Sequence, residues 1–255
     1  MATERIGLAL SGGAARGIAH IGVLKVLTEH DVRIDCVAGT SVGSIIGALH
    51  CSGMGWQEIL ETTRELSWQE LVKPTLSGMG LVETKRLEEY VVALIGDRDF
   101  SDLETPFRAV AVDIGTATQV VLDSGSVARA VRASSSVPGI FEPLVEDGVT
   151  LVDGGVINNL PVDQLGEMGA KRTIAVDLNA DRSPGGTPQN LLDVTYRTFM
   201  VLLNNTSSAG RKDADVLIQP DLTDIAYHDL DQIDRLFDLG VSAAEEKLKE
   251  LRKLS

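Results

Sequence analysis

A serine between two glycines is the first place in this sequence where chemistry could be done. Gly39-Thr40-Ser41-Val42-Gly43 matches the pattern G-x-S-x-G, with a short apolar run before it and a helical pattern after it. That context predicts a sharp turn from strand to helix, in which Gly39 and Gly43 leave room for neighbouring backbone. The turn would lift the Ser41 hydroxyl clear of the sheet, beside the positive N-terminus of the following helix. Ser41 is therefore a candidate nucleophile, and the alternative is that it only caps the helix.

A glycine-rich loop at residues 12–17, Gly-Gly-Ala-Ala-Arg-Gly, connects the first predicted strand to its helix. Acyl transfer develops negative charge on a carbonyl oxygen, and each backbone N–H that points at this oxygen stabilises it by roughly 3 kcal/mol. Glycines let a loop present such groups without side chains in the way. We therefore predict an oxyanion hole at Gly12, Gly13 and Ala14, in a motif that Arg16 and Gly17 support. Arg16 either braces the loop or contacts a phosphate, or it is a solvated charge at the start of the helix.

The same loop resembles a nucleotide-binding site, and the sequence argues against that alternative. A P-loop requires Gly-Lys followed by Ser or Thr, whereas Arg16-Gly17-Ile18 stands here. A dinucleotide site needs an acidic residue near the end of the second strand, but Asp35 lies at the start of that strand. No cofactor is expected.

An activated serine requires a base, and Asp153 is one candidate. Asp153-Gly154-Gly155 directly follows a strand-like run, so the carboxylate could point into the same crevice as the serine. On its own, the tripeptide would indicate no more than a turn. The histidines at positions 20, 30 and 50 are poorly placed as alternatives, because they lie in helical patterns or at their ends.

The fourth histidine, His228, keeps a second mechanism open. The chain order Ser41, Asp153, His228 is that of a conventional catalytic triad in α/β-hydrolases. From the residue types alone, the base for Ser41 could therefore be Asp153 directly, or His228 with Asp153 behind it.

The elements that must position these residues alternate as they do in α/β proteins. Strand, turn and helix occur twice in the first fifty residues, which predicts a parallel sheet. No repeat or linker divides the chain, so residues 1–255 are expected to form one domain. The predicted strands are Ile6–Leu10, Ile34–Ala38, Phe107–Ile114, Gln119–Leu122, Leu151–Val152, Thr173–Val176 and Val216–Ile218. The predicted helices are Ile18–Glu29, Ser44–Leu49, Trp56 to about Ile95 with an interruption at 73–80, Val127–Ala133, Val162–Met168, Leu191–Leu203 and Ile233–Leu251.

The charge of the chain limits its partners. A net charge of −14 argues against nucleic acid, whose binding depends on clustered Lys and Arg, and against electrostatic docking on anionic lipid. The sequence contains no long uninterrupted apolar run and no signal peptide, and Cys36 and Cys51 lack metal-ligand spacing. We therefore expect a cytoplasmic protein whose contact with a membrane or micelle is apolar and transient. Its oligomeric state does not follow from the sequence.

Residues 68–81 combine apolar side chains with Pro74, Gly78 and Gly80, which break helices. The apolar residues are Trp68, Leu71, Val72, Leu76, Met79 and Leu81. Such a segment can form a lid over a crevice that must exclude water. The alternative is an ordinary surface loop that buries these side chains against the core.

Four blocks of the sequence together resemble the patatin-like phospholipase family, and within it the bacterial branch related to neuropathy target esterase. The blocks are residues 8–17, 39–43, 133–143 and 152–155, they occur in the family's order, and the match covers nearly the whole chain. The resemblance implies a three-layer α/β/α fold with a mainly parallel central sheet. It also implies a dyad of Ser41 as nucleophile and Asp153 as base, without a histidine, that hydrolyses acyl esters of phospholipids or lysophospholipids without a metal.

One residue departs from the family pattern. The family's usual glycine at the third position of the loop is Ala14 here. Alanine still donates an N–H, but a positive φ at this position would cost roughly 1 kcal/mol because of its Cβ. This departure keeps a third hypothesis open, namely a lipid-binding or regulatory protein that retains the fold but turns over slowly.

Overall fold

The structure is a computed structural model and describes residues 4–66, 74–75, 78–180, 187–225, 229 and 231–254. The strands in this part are β1 (Ile6–Leu10), β2 (Cys36–Thr40), β3 (Phe107–Asp113), β4 (Thr118–Leu122), β5 (Leu144–Glu146), β6 (Val149–Asp153), β7 (Arg172–Val176) and β8 (Val216–Ile218). The α-helices are α1 (Ile18–Glu29), α2 (Val42–Cys51), α3 (Trp56–Glu65), α4 (Lys85–Ile95), α5 (Val127–Ser134), α6 (Val162–Glu167), α7 (Leu191–Thr206), α8 (Ser208–Asp213), α9 (Ile233–Glu246) and α10 (Leu248–Leu251). The eight strands form one sheet in the order β5-β6-β3-β2-β1-β7-β8, with β4 also paired to β3.

Helices cover both faces of the sheet, and the side chains of β1 show why. Leu8 and Leu10 pack in a large apolar cluster with residues of α1 and α9, whereas Ala9 packs on the opposite face with residues of α6. A strand that is buried on both faces is typical of parallel sheets between two helical layers. The predicted three-layer α/β/α fold is therefore confirmed.

The sheet is parallel in its centre and antiparallel at one end. Strands β1, β2, β3, β7 and β8 pair in parallel, whereas β4, β5 and β6 pair antiparallel to their neighbours. Two details differ from the sequence prediction. Strand β5 has only three residues and gave no clear pattern. Strand β2 lies two residues later than predicted, because Gly39 still pairs with both β1 and β3 and Thr40 still pairs with β3.

Strand β3 has two different strands along one edge, and this arrangement creates the site. β4 pairs with residues 109–113 of β3. β2 pairs with the first half of β3 and β6 with its last three residues. Since β4 occupies one edge of β3 at residues 109–113, β2 and β6 must share the other edge and meet end to end. The last residues of these two strands are Thr40 and Asp153, so Ser41 and Asp153 come together at the junction.

Candidate active site

Ser41 lies in the sharp turn between β2 and α2. Its backbone has φ 54° and ψ −128°, a conformation that L-residues rarely adopt. A Cβ on Gly39 would lie 2.4 Å from the carbonyl oxygen of Gly43, and a Cβ on Gly43 would lie 2.2 Å from that of Leu10. Both glycines are therefore required by close backbone contacts, as the sequence predicts. Ser41 stands at the N-cap position of α2 but makes no capping hydrogen bond with its side chain, so capping does not explain it.

A second serine holds the turn in place. The Ser41 N–H donates to Ser134 Oγ at 2.9 Å, and that hydroxyl donates to the Val110 carbonyl oxygen at 2.6 Å. Ser134 thus ties the turn to β3. Sequence reasoning missed this role, although Ser134 lies within the block 133–143 that carries the family resemblance.

Asp153 ends β6 and is completely buried. Its Oδ1 accepts the Gly155 N–H at 2.8 Å. Burial raises the pKa of Asp153 to about 7, against the opposing effect of hydrogen bonds from the Ser41 side chain and the Gly155 N–H. Oδ2 has no hydrogen bond of standard geometry within the described residues. The contact with the Ser41 hydroxyl is therefore looser than an ordinary hydrogen bond, as is common before a substrate binds.

The two glycines after Asp153 leave space for neighbouring elements. A Cβ on Gly154 would lie 2.2 Å from the Val110 carbonyl oxygen, and a Cβ on Gly155 would lie 2.2 Å from the Leu203 side chain. The turn after the carboxylate therefore fits closely between β3 and α7.

The glycine-rich loop reaches the same junction, since a Cβ on Gly12 would lie 3.0 Å from Ser41 Cβ. Two asparagines hold the Gly12 backbone. Its N–H donates to Asn159, with Oδ1 at 3.1 Å and the carbonyl oxygen at 3.3 Å, and its carbonyl oxygen accepts Asn179 Nδ2 at 2.6 Å. The N–H of Gly12 is thus already occupied, in contrast to its predicted use as a donor to an oxyanion. In the hydrogen bonds of the described residues, the N–H groups of Gly13 and Ala14 have no acceptor.

Ala14 has φ 50°, so the loop does adopt the positive φ that is costly for an alanine. The strain falls on the one residue where this loop departs from the family's glycine, at an expected cost of roughly 1 kcal/mol. Its N–H is nevertheless available to a ligand.

A family model described as patatin-like phospholipase matches residues 8–165, which make up more than half of the chain and include the glycine-rich loop, Ser41 and Asp153. The chain belongs to the patatin-like phospholipase family. Among curated relatives, the patatin-like phospholipase domain-containing protein 6 of Mus musculus is 38% identical over 183 residues, which cover 69% of this chain and 14% of that protein. The neuropathy target esterase sws of Drosophila melanogaster is 35% identical over 69% of this chain and 13% of its own length. An uncharacterized NTE family protein of Mycobacterium tuberculosis is 33% identical over 71% of this chain and 51% of its own length.

These relatives confirm the predicted relationship to neuropathy target esterase. The chain spans only part of the length of each of them. Among solved structures, VipD from Legionella pneumophila matches 98% of this chain and 67% of its own with a TM-score of 0.71 at 12% identity. The type III effector protein ExoU matches 99% of this chain and 53% of its own with a TM-score of 0.54 at 15% identity. At these identities the structural likeness concerns the fold.

Arg16 of this patatin-like chain is buried, so the interpretation as a solvated charge is wrong. Its Nε and Nη2 donate to the Ile225 carbonyl oxygen at 3.0 and 2.6 Å. The side chain therefore braces the glycine-rich loop against the chain that follows β8. Gly17 packs under the turn, since a Cβ there would lie 2.1 Å from the Val42 side chain.

The structure describes His20 and His50 but not His228. His20 is buried beneath the loop, its Nε2 lies 2.9 Å from the Ser11 carbonyl oxygen, and burial lowers its pKa to about 4. It is thus a neutral residue that supports the start of the glycine-rich loop. Burial also lowers the pKa of His50, at the end of α2. His228 lies outside the described residues, so the triad alternative stays a prediction.

The predicted lid lies largely outside the described residues, including Trp68, Leu71, Val72 and Leu76. Its end is described and is tied to the loop at 137–143. The N–H groups of Leu81 and Val82 both donate to the Ile140 carbonyl oxygen, at 2.9 and 3.0 Å. Met79 and Leu81 are 56% and 47% exposed, so this end is not buried in the core.

The described residues of this family member contain no group of three or more His, Cys, Asp or Glu side chains that could hold a metal ion. None of their helices is both long enough and apolar enough to cross a membrane.

Proposed function

We propose that this chain is a serine acyl hydrolase that cleaves carboxylic ester bonds of phospholipids or lysophospholipids, with Ser41 as nucleophile and Asp153 as base. The observation that carries the proposal is the junction of β2 and β6 on β3. It brings a serine in a strained turn to a fully buried carboxylate whose pKa is raised to about 7. A base is most effective when its pKa lies near the working pH. Membership of the patatin-like phospholipase family supports the same substrate class.

The first half of the reaction forms an acyl-enzyme. Asp153 accepts the proton of the Ser41 hydroxyl while Oγ attacks the ester carbonyl carbon. The N–H groups of Gly13 and Ala14 stabilise the resulting oxyanion. The tetrahedral intermediate then collapses, the bond to the alcohol breaks, and Asp153 gives its proton to the leaving alkoxide.

The second half returns the enzyme to its starting state. Asp153 accepts a proton from a water molecule, whose oxygen attacks the acyl carbonyl carbon. The bond to Ser41 Oγ breaks, Oγ recovers the proton, and the acyl chain leaves as a carboxylic acid. No step requires a metal ion or a cofactor.

Asn159 and Asn179 are positioning residues in this proposal. Asn179 Nδ2 donates to the carbonyl oxygen of the peptide whose N–H belongs to Gly13, and such a bond polarises the N–H on the other side of the peptide. Asn159 holds the Gly12 N–H and is itself held by Ser207, since its Nδ2 donates to Ser207 Oγ at 2.9 Å. Gly12 then contributes a fixed, side-chain-free wall beside Ser41 rather than a third donor.

The proposal is tested by incubating the purified chain with phosphatidylcholine and lysophosphatidylcholine in the presence of a chelator. Release of fatty acid from either lipid supports it. Binding of both lipids without release of fatty acid would favour the alternative of a slow lipid-binding or regulatory protein, which Ala14 motivates.

Changes in the glycine-rich loop should separate its backbone role from simple packing. In Gly13→Val the new Cβ would lie 2.8 and 2.9 Å from two atoms of Leu178, so the loop must move, and we expect kcat to fall by roughly 10²–10³-fold. Ala14→Gly is the matched change in the same loop. It relieves the positive φ at the cost of a more flexible unfolded chain, so both stability and turnover should stay close to wild type. Full turnover in a folded Gly13→Val variant would show that the loop is not the oxyanion hole.

His228→Ala distinguishes the dyad from a triad. If Asp153 is the base itself, the variant should keep ester hydrolysis largely unchanged, measured as kcat/KM on a soluble ester with circular dichroism as the folding control. A collapse of kcat/KM in a normally folded His228→Ala variant would replace the dyad by the triad.

A further inference from the structure

Helix α7 presents an apolar outer face that no other described part of the chain covers. Its inner side chains Phe199, Met200 and Leu203 are buried. The outer side chains that form what we call the α7 face are Leu191, Val194, Val201 and Leu202, which are 79%, 46%, 55% and 37% exposed. With 3.6 residues per turn, these four positions fall within one sector of about 100°. An α-helix that is apolar on both its inner and its outer side is unusual at a protein surface exposed to water.

The polar groups within this face are satisfied by the helix itself. Thr198 lies within this sector and Thr195 at its edge, and their hydroxyls donate to the carbonyl oxygens of Val194 and Leu191 at 2.8 and 2.9 Å. Their methyl groups are thus what remains to meet a partner. The charged residues of the helix, Asp193 and Arg197, lie outside the sector and pair with each other at 2.6 Å. The face therefore carries no charge, and the exposed Asn205 marks its C-terminal end.

This helix packs directly on the candidate active site. Leu203 contacts Gly155, two residues after Asp153, and the Thr206 hydroxyl donates to the Gly155 carbonyl oxygen at 2.7 Å. Near its other end, Thr195 lies against Gly139, in the loop that also holds the backbone of Leu81. Most of the exposed large apolar side chains in the described residues belong to α7 or to these neighbouring segments; the latter contribute Met79, Leu81 and Ile157.

We propose that the α7 face docks the protein on a lipid surface with uncharged or zwitterionic head groups, which delivers substrate to Ser41. The inference rests on the proposed function, since a hydrolase of lipid esters must reach molecules held in an aggregate. A net charge of −14 repels anionic lipid, and the α7 face offers no cation to offset it. The same charge on two copies opposes their association through this face. An apolar stripe can enter the head-group region of such a surface without positively or negatively charged side chains.

Flotation with phosphatidylcholine vesicles tests the docking, using Ser41→Ala protein so that the lipid is not consumed. The test variant adds Leu191→Ser and Val201→Ser. A matched control adds Ile114→Ser and Val145→Ser, two apolar side chains that are also at least half exposed (54% and 50%) but lie just after β3 and on β5. We expect the test variant to lose at least about tenfold in partitioning, since two apolar side chains no longer enter the lipid. The control should partition like its parent, high salt should not weaken binding, and added phosphatidylserine should weaken it.

Three results would overturn the docking proposal. They are equal flotation of the parent and the test variant, an equal loss in the test and control variants, and a parent that elutes as a dimer which the test variant converts to a monomer without any flotation. The last result would assign the face to a second copy of the chain. Hydrolysis of a short soluble ester by protein with intact Ser41 keeps the two proposals apart. If that ester is cleaved while flotation is insensitive to the face, only the docking fails; if flotation depends on the face but no ester is cleaved, only the catalytic proposal fails.

Discussion

Asp153→Asn should abolish ester hydrolysis and, at the same time, stabilise the protein above pH 7. The amide has the shape of the carboxylate and can still accept the Gly155 N–H, but it cannot take a proton from Ser41. The carboxyl is completely buried and its pKa is raised to about 7 from an ordinary value of 3.8. Charging it in the folded state is therefore unfavourable, and the amide never becomes charged.

The sign of the stability effect follows from the direction of the pKa change. Between about pH 4 and pH 7 the folded chain holds a proton on Asp153 that the unfolded chain has lost. The free energy of unfolding therefore falls as pH rises through this window, by up to ~1.4 kcal/mol per pH unit. At pH 8 the variant should be the more stable protein by a few kcal/mol, or roughly 5–10 °C in Tm. Below pH 4 the two proteins should melt alike.

Thermal melting at several pH values, together with a hydrolysis assay, checks this prediction. Asp147→Asn is the matched control, because Asp147 is an exposed aspartate in the turn just before β6. It should change neither the activity nor the pH dependence of Tm. A catalytically active Asp153→Asn variant would exclude Asp153 as the base. For the wild type, kcat/KM should rise with pH through about 7 as Asp153 loses its proton.

Ser41→Ala should lower hydrolysis by roughly 10⁴-fold or more, because the nucleophile itself is removed. The wild type should be labelled at Ser41 by a fluorophosphonate probe, and the variant should not be labelled. Stability should change little, since alanine keeps the Cβ and the backbone hydrogen bond from residue 41 to Ser134 remains.

Ser52→Ala is the matched control for that experiment. Ser52 is as buried as Ser41 (6% and 7% exposed), but it lies just after the end of α2, and its hydroxyl donates to the Leu49 carbonyl oxygen in the last turn of that helix. Its loss should cost about 1 kcal/mol of stability and leave labelling and turnover intact. A wild type that takes up no probe, although it binds lipid, would favour the regulatory alternative.

The sequence predicted those parts of the site that depend on local geometry. Gly39 and Gly43 signalled the turn around Ser41 because only glycine tolerates the backbone contacts found there. The alternation of strand and helix patterns predicted the parallel sheet, and the family resemblance implied its three layers. A carboxylate base that works near neutral pH has to be at least partly buried, and Asp153 meets this condition.

What the sequence did not indicate depends on contacts between distant segments. Asn159 and Asn179 both bind the backbone of Gly12, from which they are separated by 147 and 167 positions in the sequence. No sequence pattern around an asparagine predicts such a contact. For Asn179 there was one usable signal, its place just after β7, because the carboxyl ends of parallel strands gather at one edge of a sheet. The occupied N–H of Gly12 could not be foreseen either, since it follows from the position of Asn159. The sequence did not predict that one side of α7 is exposed, because apolar residues at helical spacing normally indicate burial.

The end-to-end meeting of β2 and β6 also bears on how the chain is made. Ser41 and the glycine-rich loop are synthesised more than a hundred residues before Asp153, and β2, which leads to Ser41, and β6, which ends at Asp153, share β3 as their common partner. A growing chain would therefore hold a serine without its base until β6 has been added and has paired. In the proposed mechanism, the nascent protein does not hydrolyse lipid before β6 has joined the sheet.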